Sequence, residues 1–116
     1  TTATARLANN STTNQLNYVV GVIEEPVTAS LCANVSNTSV NINVQVGFGN
    51  NSTTTITGDD GSGYILVAGQ QMKLYSHFKG YPSTVGLNYL AWLEYSAATG
   101  TTSWALGGGL NGIVYG

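Results

Sequence analysis

The sequence predicts an all-β protein, folded as a single antiparallel β-sandwich of about seven to nine short strands. Its clearest strand covers residues 39–48, where Val40, Ile42, Val44, Val46 and Phe48 alternate with polar residues and glycine. This alternation is typical of a strand with one buried face. Similar apolar runs recur at intervals of about 8–12 residues, as in sandwiches and barrels. No window has the apolar period of about 3.6 residues that marks an amphipathic helix.

Turn residues separate the predicted strands, which would form an immunoglobulin-like, pilin-like or jelly-roll-like sandwich. Two prolines and 15 glycines, with Asn, Asp and Ser, break the chain at segments such as "GFGNN" and "KGYPSTVG". The segment "TGDDGSG", residues 57–63, is predicted to be a hairpin turn, because two carboxylates cannot fill the roughly six to eight positions of a calcium site. The predicted strands are residues 16–23, 27–35, 39–48, 52–57, 64–68, 71–78, 87–95, 101–106 and 110–115.

One predicted strand, "LNYLAWLEY" at residues 87–95, has apolar side chains on both faces. Leu87, Tyr89 and Leu93 lie on one face, and Leu90 and Trp92 lie on the other. Both faces therefore need cover from water. Two explanations stay open: a loop shields the second face, or Leu90 and Trp92 contribute to an interface between subunits.

Residues 1–15 are predicted to be an N-terminal extension of a sandwich domain that covers residues 16–116. The extension "TTATARLANNSTTNQ" has no core-forming set beyond Ala3, Ala5 and Leu7. The alternation of these three residues is compatible with a strand that is added to a groove of this subunit or of a neighbour. The first ten residues lack the basic and apolar regions of a signal peptide. An exported protein would therefore have this chain as its mature form.

Composition excludes several classes of function. Only eight residues are charged and the formal net charge is −2, so the chain has no basic patch for nucleic acid. No apolar run approaches the roughly 18–20 residues of a membrane span. The single cysteine, Cys32, cannot form an intrachain disulfide and is expected to be a small buried residue.

The sequence predicts no catalytic residue, no metal site and no cofactor. His77 is the only histidine, and no nucleophile motif such as G-x-S-x-G is present. Glu24 and Glu25 are adjacent, and a strand would point them to opposite faces. They are therefore poor candidates for a paired acid and base.

Two groups of residues are candidates for contact with glycans. Tyr75, Tyr81 and Trp92 are the aromatic residues expected at the surface, where they could stack on sugar rings. Sequons of the form N-x-[ST] mark acceptor positions for N-linked glycans in surface turns. They occur at Asn9, Asn10, Asn34, Asn37, Asn50 and Asn51.

A surface with so little charge favours self-association. It has little electrostatic repulsion between copies, and only Lys73 and Lys79 could serve as the charged edge residues that prevent strand pairing. Neutral amides and hydroxyls also do not titrate, so such a surface stays the same from acid to neutral pH. These properties suit an extracellular structure that meets copies of itself.

The combination of a small Thr/Asn/Ser-rich β-sandwich, an N-terminal extension, sequons and no catalytic set resembles secreted pilus or thread subunits of the donor-strand type. The resemblance implies that residues 1–8 are the donor, 9–15 a linker and 16–115 the receiving sandwich. Chaperone–usher pilins typically carry an intrachain disulfide, which this chain lacks. Disulfide-free surface filaments, including heavily glycosylated archaeal ones, are therefore the nearer analogue. Such a filament subunit would have copies of itself as partners and could act in adhesion.

The alternative is a glycan- or receptor-binding head, such as the trimeric β-sandwich knob of a viral or phage fibre. Such heads are also small, mostly β and apolar on their lateral faces. In that arrangement the two-faced strand would pack between subunits.

Overall fold

The protein is all-β in a computed structural model that describes residues 4–8, 11–22, 26–82 and 84–105. The strands pair in two antiparallel sheets, which confirms the predicted all-β sandwich. The predicted strand at 110–115 lies outside the described residues. The strands are β1 (Arg6–Leu7), β2 (Gln15–Val20), β3 (Val27–Asn37), β4 (Ile42–Asn50), β5 (Thr57–Ile65), β6 (Met72–Gly80), β7 (Gly86–Ser96) and β8 (Thr102–Ala105).

The two sheets are joined through β5. Sheet A has the order β2–β7–β4–β5, with β1 beside β2 on the same edge of β7. Sheet B has the order β5–β6–β3–β8, and β5 reaches it through the pairing of Asp59 with His77. At one end of this continuous path of strands lie β1 and β2, and at the other end lies β8. The sandwich is therefore closed on the β5 side and open between β1 and β8.

The core lies between the inward faces of β3, β4, β6 and β7. Ile42, Val44, Val46 and Phe48 are buried as predicted, and Phe48 packs edge-to-face on Phe78 with ring centroids 6.3 Å apart. The other buried core residues are Val27, Ala29, Leu31, Ala33, Val35, Ile65, Leu74 and Leu90.

The predicted strand that begins at residue 39 starts later in the structure. Asn41 has a φ of 58°, a left-handed conformation that Asn tolerates better than most residues and that interrupts an extended chain. The strand therefore begins at Ile42, and Val40 is 52% exposed instead of buried.

The segment predicted to be a hairpin turn is a strand. Residues 57–63 belong to β5, which pairs with β4 from Ile65 back to Thr57. A Cβ atom at Gly61 would overlap the backbone of Tyr75 on β6. Glycine is therefore required there because two strands approach closely, a role that sequence alone does not distinguish from a turn.

The segment predicted as a strand at residues 52–57 is instead mostly a loop that covers the outer face of sheet A. Ile56 lies over Gly47, and the backbone of Ser52 lies over Gly49. Beneath this loop, Ala91 and Leu93 on the outward face of β7 are fully buried. The first of the two explanations for the two-faced strand therefore applies, because a loop shields its outer face.

Cys32 is exposed rather than buried. It lies on the outward face of β3, opposite Tyr75 of β6, whereas its neighbours Leu31 and Ala33 point into the core. In the described part of the chain, no helix has the length and apolarity needed to cross a membrane.

We expect Gly61→Ala to destabilise the fold by about 2–3 kcal/mol, because the added methyl group forces β5 away from β6. Gly21→Ala is the matched control, since a Cβ atom there has no neighbour within 4 Å. Its effect should stay within about 0.5 kcal/mol. Denaturant unfolding of both variants measures the difference, and equal effects would contradict the β5–β6 pairing.

Candidate assembly site

The predicted extension pairs with β7 of its own chain. Arg6 lies opposite Glu94 and Leu7 opposite Leu93, so β1 adds a two-residue strand to the β7 edge. Further along the same edge, β2 pairs with residues 86–91, and the backbone N–H of Trp92 donates to the Asn14 carbonyl at 3.1 Å. β1, Asn14 and β2 therefore cover this edge of β7.

An ion pair holds β1 in place. Nε of Arg6 donates to Oε1 of Glu94 at 2.9 Å, and Nη2 lies 2.8 Å from the same oxygen. The Glu94 side chain is only 4% exposed, whereas that of Arg6 is 51% exposed. A buried carboxylate needs a cation or several hydrogen-bond donors, and Arg6, the only arginine of the chain, supplies a cation from β1.

The ion pair lies at a cleft in the open side of the sandwich. The cleft has a volume of about 130 Å³ and lies between β1, the end of β7 and β8. Thr4 and Arg6 line it from the N-terminal segment. Because neighbouring residues of a strand point to opposite faces, Ala5 and Leu7 point away from it. Ala3 lies outside the described residues. The remaining lining residues are Glu94, Ser96, Thr101, Thr102 and Trp104.

Between β1 and β2, the described residues 8 and 11–14 bond to one another, and Asn14 also bonds to β7. The Asn14 side-chain amide and the Ser11 backbone N–H both donate to the Ala8 carbonyl, and Ser11 and Thr13 share a hydroxyl bond of 2.7 Å. These contacts use few residues of the sandwich. Ala8, at the start of this segment, is itself buried, with 5% of its surface exposed.

The two residues predicted at a subunit interface lie on the inward face of β7. Leu90 has no exposed surface because it packs in the core, so it offers no surface to a second copy. Trp92 is partly buried against the same core. Its Nε1 is buried with no hydrogen-bond acceptor among the described residues.

Asn37 is unsuited to carry a glycan in this fold. It is 1% exposed, and its Nδ2 donates to the Thr99 carbonyl at 3.1 Å and to Thr102 Oγ1 at 2.7 Å. Its Oδ1 accepts the backbone N–H of Ser39 at 2.7 Å. A glycan on Nδ2 would have to displace these bonds, so the prediction of a surface sequon at Asn37 is corrected.

The other sequons lie closer to solvent. Asn34 and Asn50 are half-buried, and Asn51 is exposed in the turn after β4. The Asn51 side chain also ties this turn to β7, because its Nδ2 donates to Asn88 Oδ1 at 2.8 Å. Two predicted acceptors lie outside the described residues, Asn9 and Asn10.

The three aromatic residues predicted to bind glycans do not form one platform. Tyr75 and Tyr81 are each 65% exposed. Tyr75 lies in the middle of β6, however, and Tyr81 lies beyond its end. Trp92 faces the interior of the sandwich. A sugar ring could therefore contact only one of them at a time.

The described residues bring together few groups with chemical reactivity. Among them, no three His, Cys, Asp or Glu side chains are placed to share a metal ion. His77 Nδ1 lies 3.2 Å from Ser30 Oγ on the exposed face of sheet B. The Tyr18 hydroxyl donates to Asn50 Oδ1 at 3.1 Å, and burial raises the pKa of Tyr18 above 10.0.

The ion pair is the feature that the sequence interpretation missed. Two signals could have found it. A glutamate in the apolar strand "LNYLAWLEY" indicates a buried charge that needs a partner, and the chain offers only three cations. The pattern does not choose among them, because the two paired residues are 88 positions apart.

No family model, curated protein or solved structure matches this chain.

We expect Arg6→Gln to destabilise the protein by about 1–3 kcal/mol, because it leaves the buried Glu94 carboxylate without its cation. This loss of stability is smaller than that expected for a fully buried ion pair, since half of the Arg6 side chain contacts water. The double variant Arg6→Gln/Glu94→Gln should recover most of the loss, and the exposed control Lys79→Gln should stay within about 0.5 kcal/mol. Denaturant unfolding in a double-mutant cycle tests this. An Arg6→Gln effect no larger than that of Lys79→Gln would show that the pair does not hold β1.

Proposed function

We propose that this protein is a structural subunit of an extracellular surface filament whose copies exchange β1. The observation that supports the proposal is the placement of β1. A two-residue strand lies at the open edge of β7, joined to the sandwich through residues 8–14 and fastened by the Arg6–Glu94 pair. A strand attached in this way can bind the same edge of a neighbouring copy.

Exchange between copies would conserve the contacts that hold β1. The Arg6–Glu94 pair and the Leu7–Leu93 rung form identically within one chain or between two chains. The balance between the two forms then depends on chain concentration and on the entropy of residues 8–14. The ion pair supplies specificity, because a donor strand without a cation would remove the positive charge beside the buried Glu94 carboxylate.

The length of the segment between β1 and β2 limits which neighbouring copy an exchanged β1 can reach. Seven residues span at most about 25 Å when fully extended. The molecule measures 47 × 23 × 21 Å. An exchanged β1 therefore reaches a copy that lies side by side with its donor, and not one displaced by the full length of the molecule.

The surface supports an extracellular, self-associating role. With eight charged residues in 116, copies of the chain repel one another weakly. Neutral amides on the outward face of β4, at Asn43 and Gln45, keep their state across a wide pH range. Glycans at Asn34, Asn50 or Asn51 would add solvation without adding charge.

The alternative, a glycan- or receptor-binding head, has less support. Tyr75 and Tyr81 lie on different parts of the surface and Trp92 faces inward. A trimeric knob would also need an apolar lateral face on β7, where a loop already covers Ala91 and Leu93.

The exchange can be tested by a disulfide between β1 and β7. Leu7 and Leu93 are directly opposite each other, and cross-strand Cα separations of about 4.5–5.5 Å suit a disulfide. In a Cys32→Ser background, Leu7→Cys/Leu93→Cys should give a ladder of covalent dimers, trimers and longer species when assembled material is oxidised. Non-reducing gel electrophoresis measures the ladder.

The matched control is Asn17→Cys/Tyr89→Cys in the same background, which joins β2 to β7 at another directly paired position. Because β2 stays within its own chain, this variant should give only intrachain disulfides. If Leu7→Cys/Leu93→Cys also gives only intrachain disulfides at every protein concentration, β1 exchange is refuted.

A further inference from the structure

The exposed apolar side chains of the described residues are not scattered. Ten large apolar or aromatic side chains are strongly exposed, and nine of them lie at the two opposite ends of the strands. Only Tyr75 lies in the middle of a strand. The Gly86 patch consists of Val19, Val22, Tyr81, Val85 and Leu87. The Ile42 patch consists of Val40, Tyr64, Leu66 and Val67.

The Gly86 patch is built where β2 ends and β7 begins. Val19 and Leu87 are directly opposite each other on the outer face of sheet A, and they are 77% and 74% exposed. Val85 and Val22 continue the patch beyond the ends of β7 and β2. Tyr81 follows the last residue of β6 at the same end. The pairing of the strands therefore gathers these residues at one end of the molecule.

The Ile42 patch is built at the opposite end, where β4 begins and β5 ends. Ile42 pairs with Ile65, so Val40 and Val67 each lie two residues beyond the same rung. A hydrogen bond of 2.7 Å from the Gly69 backbone N–H to the Asn37 carbonyl ties the loop after β5 to the end of β3. The chain thus holds these apolar side chains outward by defined turns.

The size of the patches is typical of interaction sites. With about 100–200 Å² of exposed area for each side chain, each patch offers on the order of 500 Å², within the range of large functional patches. Neither patch contains a charged residue. One patch pressed on the other would bury about 1,000 Å² in total, the size of a weak and reversible protein contact.

We infer that the Gly86 patch of one copy binds the Ile42 patch of the next, so that copies associate head to tail along the long axis. The two patches lie at opposite ends of the strands, and the longest extent of the molecule is 47 Å. A single contact of this kind covers both patches of every internal copy and leaves one of each free at the filament ends. Repetition therefore produces an open chain instead of a closed ring or dimer.

This head-to-tail contact deepens the proposed function. The contact rests on that proposal in one respect, namely that the partner is a second copy of the chain. The two contacts join different neighbours. The roughly 25 Å reach of residues 8–14 links copies that lie side by side, whereas the patches link copies end to end. Either contact can fail without the other.

A mixing experiment tests the head-to-tail contact. Two variants each lose one patch: Val19→Thr/Leu87→Thr and Val40→Thr/Val67→Thr. Both are made in the Cys32→Ser, Leu7→Cys/Leu93→Cys chain that has been isolated with β1 locked by an intrachain disulfide, so that β1 exchange cannot contribute. Sedimentation velocity then measures association at increasing concentration.

We expect the locked chain with both patches to form a concentration-dependent series of oligomers. Each patch variant alone should stay monomeric, with association at least tenfold weaker. A 1:1 mixture should form dimers and nothing larger, because only one intact pair of patches remains. Tyr75→Thr is the control, since Tyr75 is equally exposed but distant from both patches. It should leave association unchanged.

Two results would overturn the inference. Dimers of either patch variant alone would mean that like patches bind each other. A locked chain that stays monomeric at every concentration would mean that the patches do not bind at all, whatever the outcome for β1 exchange. Because Val19, Leu87, Val40 and Val67 are exposed, the patch substitutions should leave the fold of the locked chain intact, and denaturant unfolding against the locked chain checks this.

Discussion

The buried carboxylate of Glu94 is the constraint on which the arrangement of the N-terminal segment depends. A charge with 4% exposure is stable only beside groups that compensate it, and Arg6 supplies a cation from β1. That requirement draws β1 to the edge of β7, closes part of the open side of the sandwich and places Thr4 and Arg6 in the cleft beside β8. A two-residue strand has little pairing energy of its own, so the ion pair decides where the segment lies and, under the proposed exchange, which edge it recognises.

Elsewhere the protein uses neutral amides where many proteins use charges. Asn88 is buried and fully hydrogen-bonded: its Nδ2 donates to the carbonyls of Thr84 and Gly86, and its Oδ1 accepts from Asn51 and Thr84. Asn51 has a φ of 51° and also accepts the Tyr89 N–H, so it fixes the loop over sheet A. Satisfied amides cost little to bury. The Asn-rich composition therefore has a structural role inside the sandwich as well as at its surface.

The sequence predicted the strands that are long, rich in apolar residues and bounded by turn residues. β4 and β7 were located to within about three residues, and the inward face of β4 was identified from Ile42 to Phe48. β5 was missed because glycines that allow close strand approach are the same residues that form turns. Long-range features escaped for a different reason. The Arg6–Glu94 pair and the burial of Asn37 depend on which strands become neighbours, and no local pattern encodes that. The two apolar patches likewise become visible only when the register gathers residues from separate turns.

In the proposed assembly, side-by-side exchange of β1 and end-to-end contact of the two apolar patches together make a fibre from one kind of subunit. The most direct test is electron microscopy of the purified, concentrated chain. We expect filaments whose axial repeat is close to 47 Å, the longest extent of the molecule. Discrete closed particles without filaments, at every concentration, would contradict it.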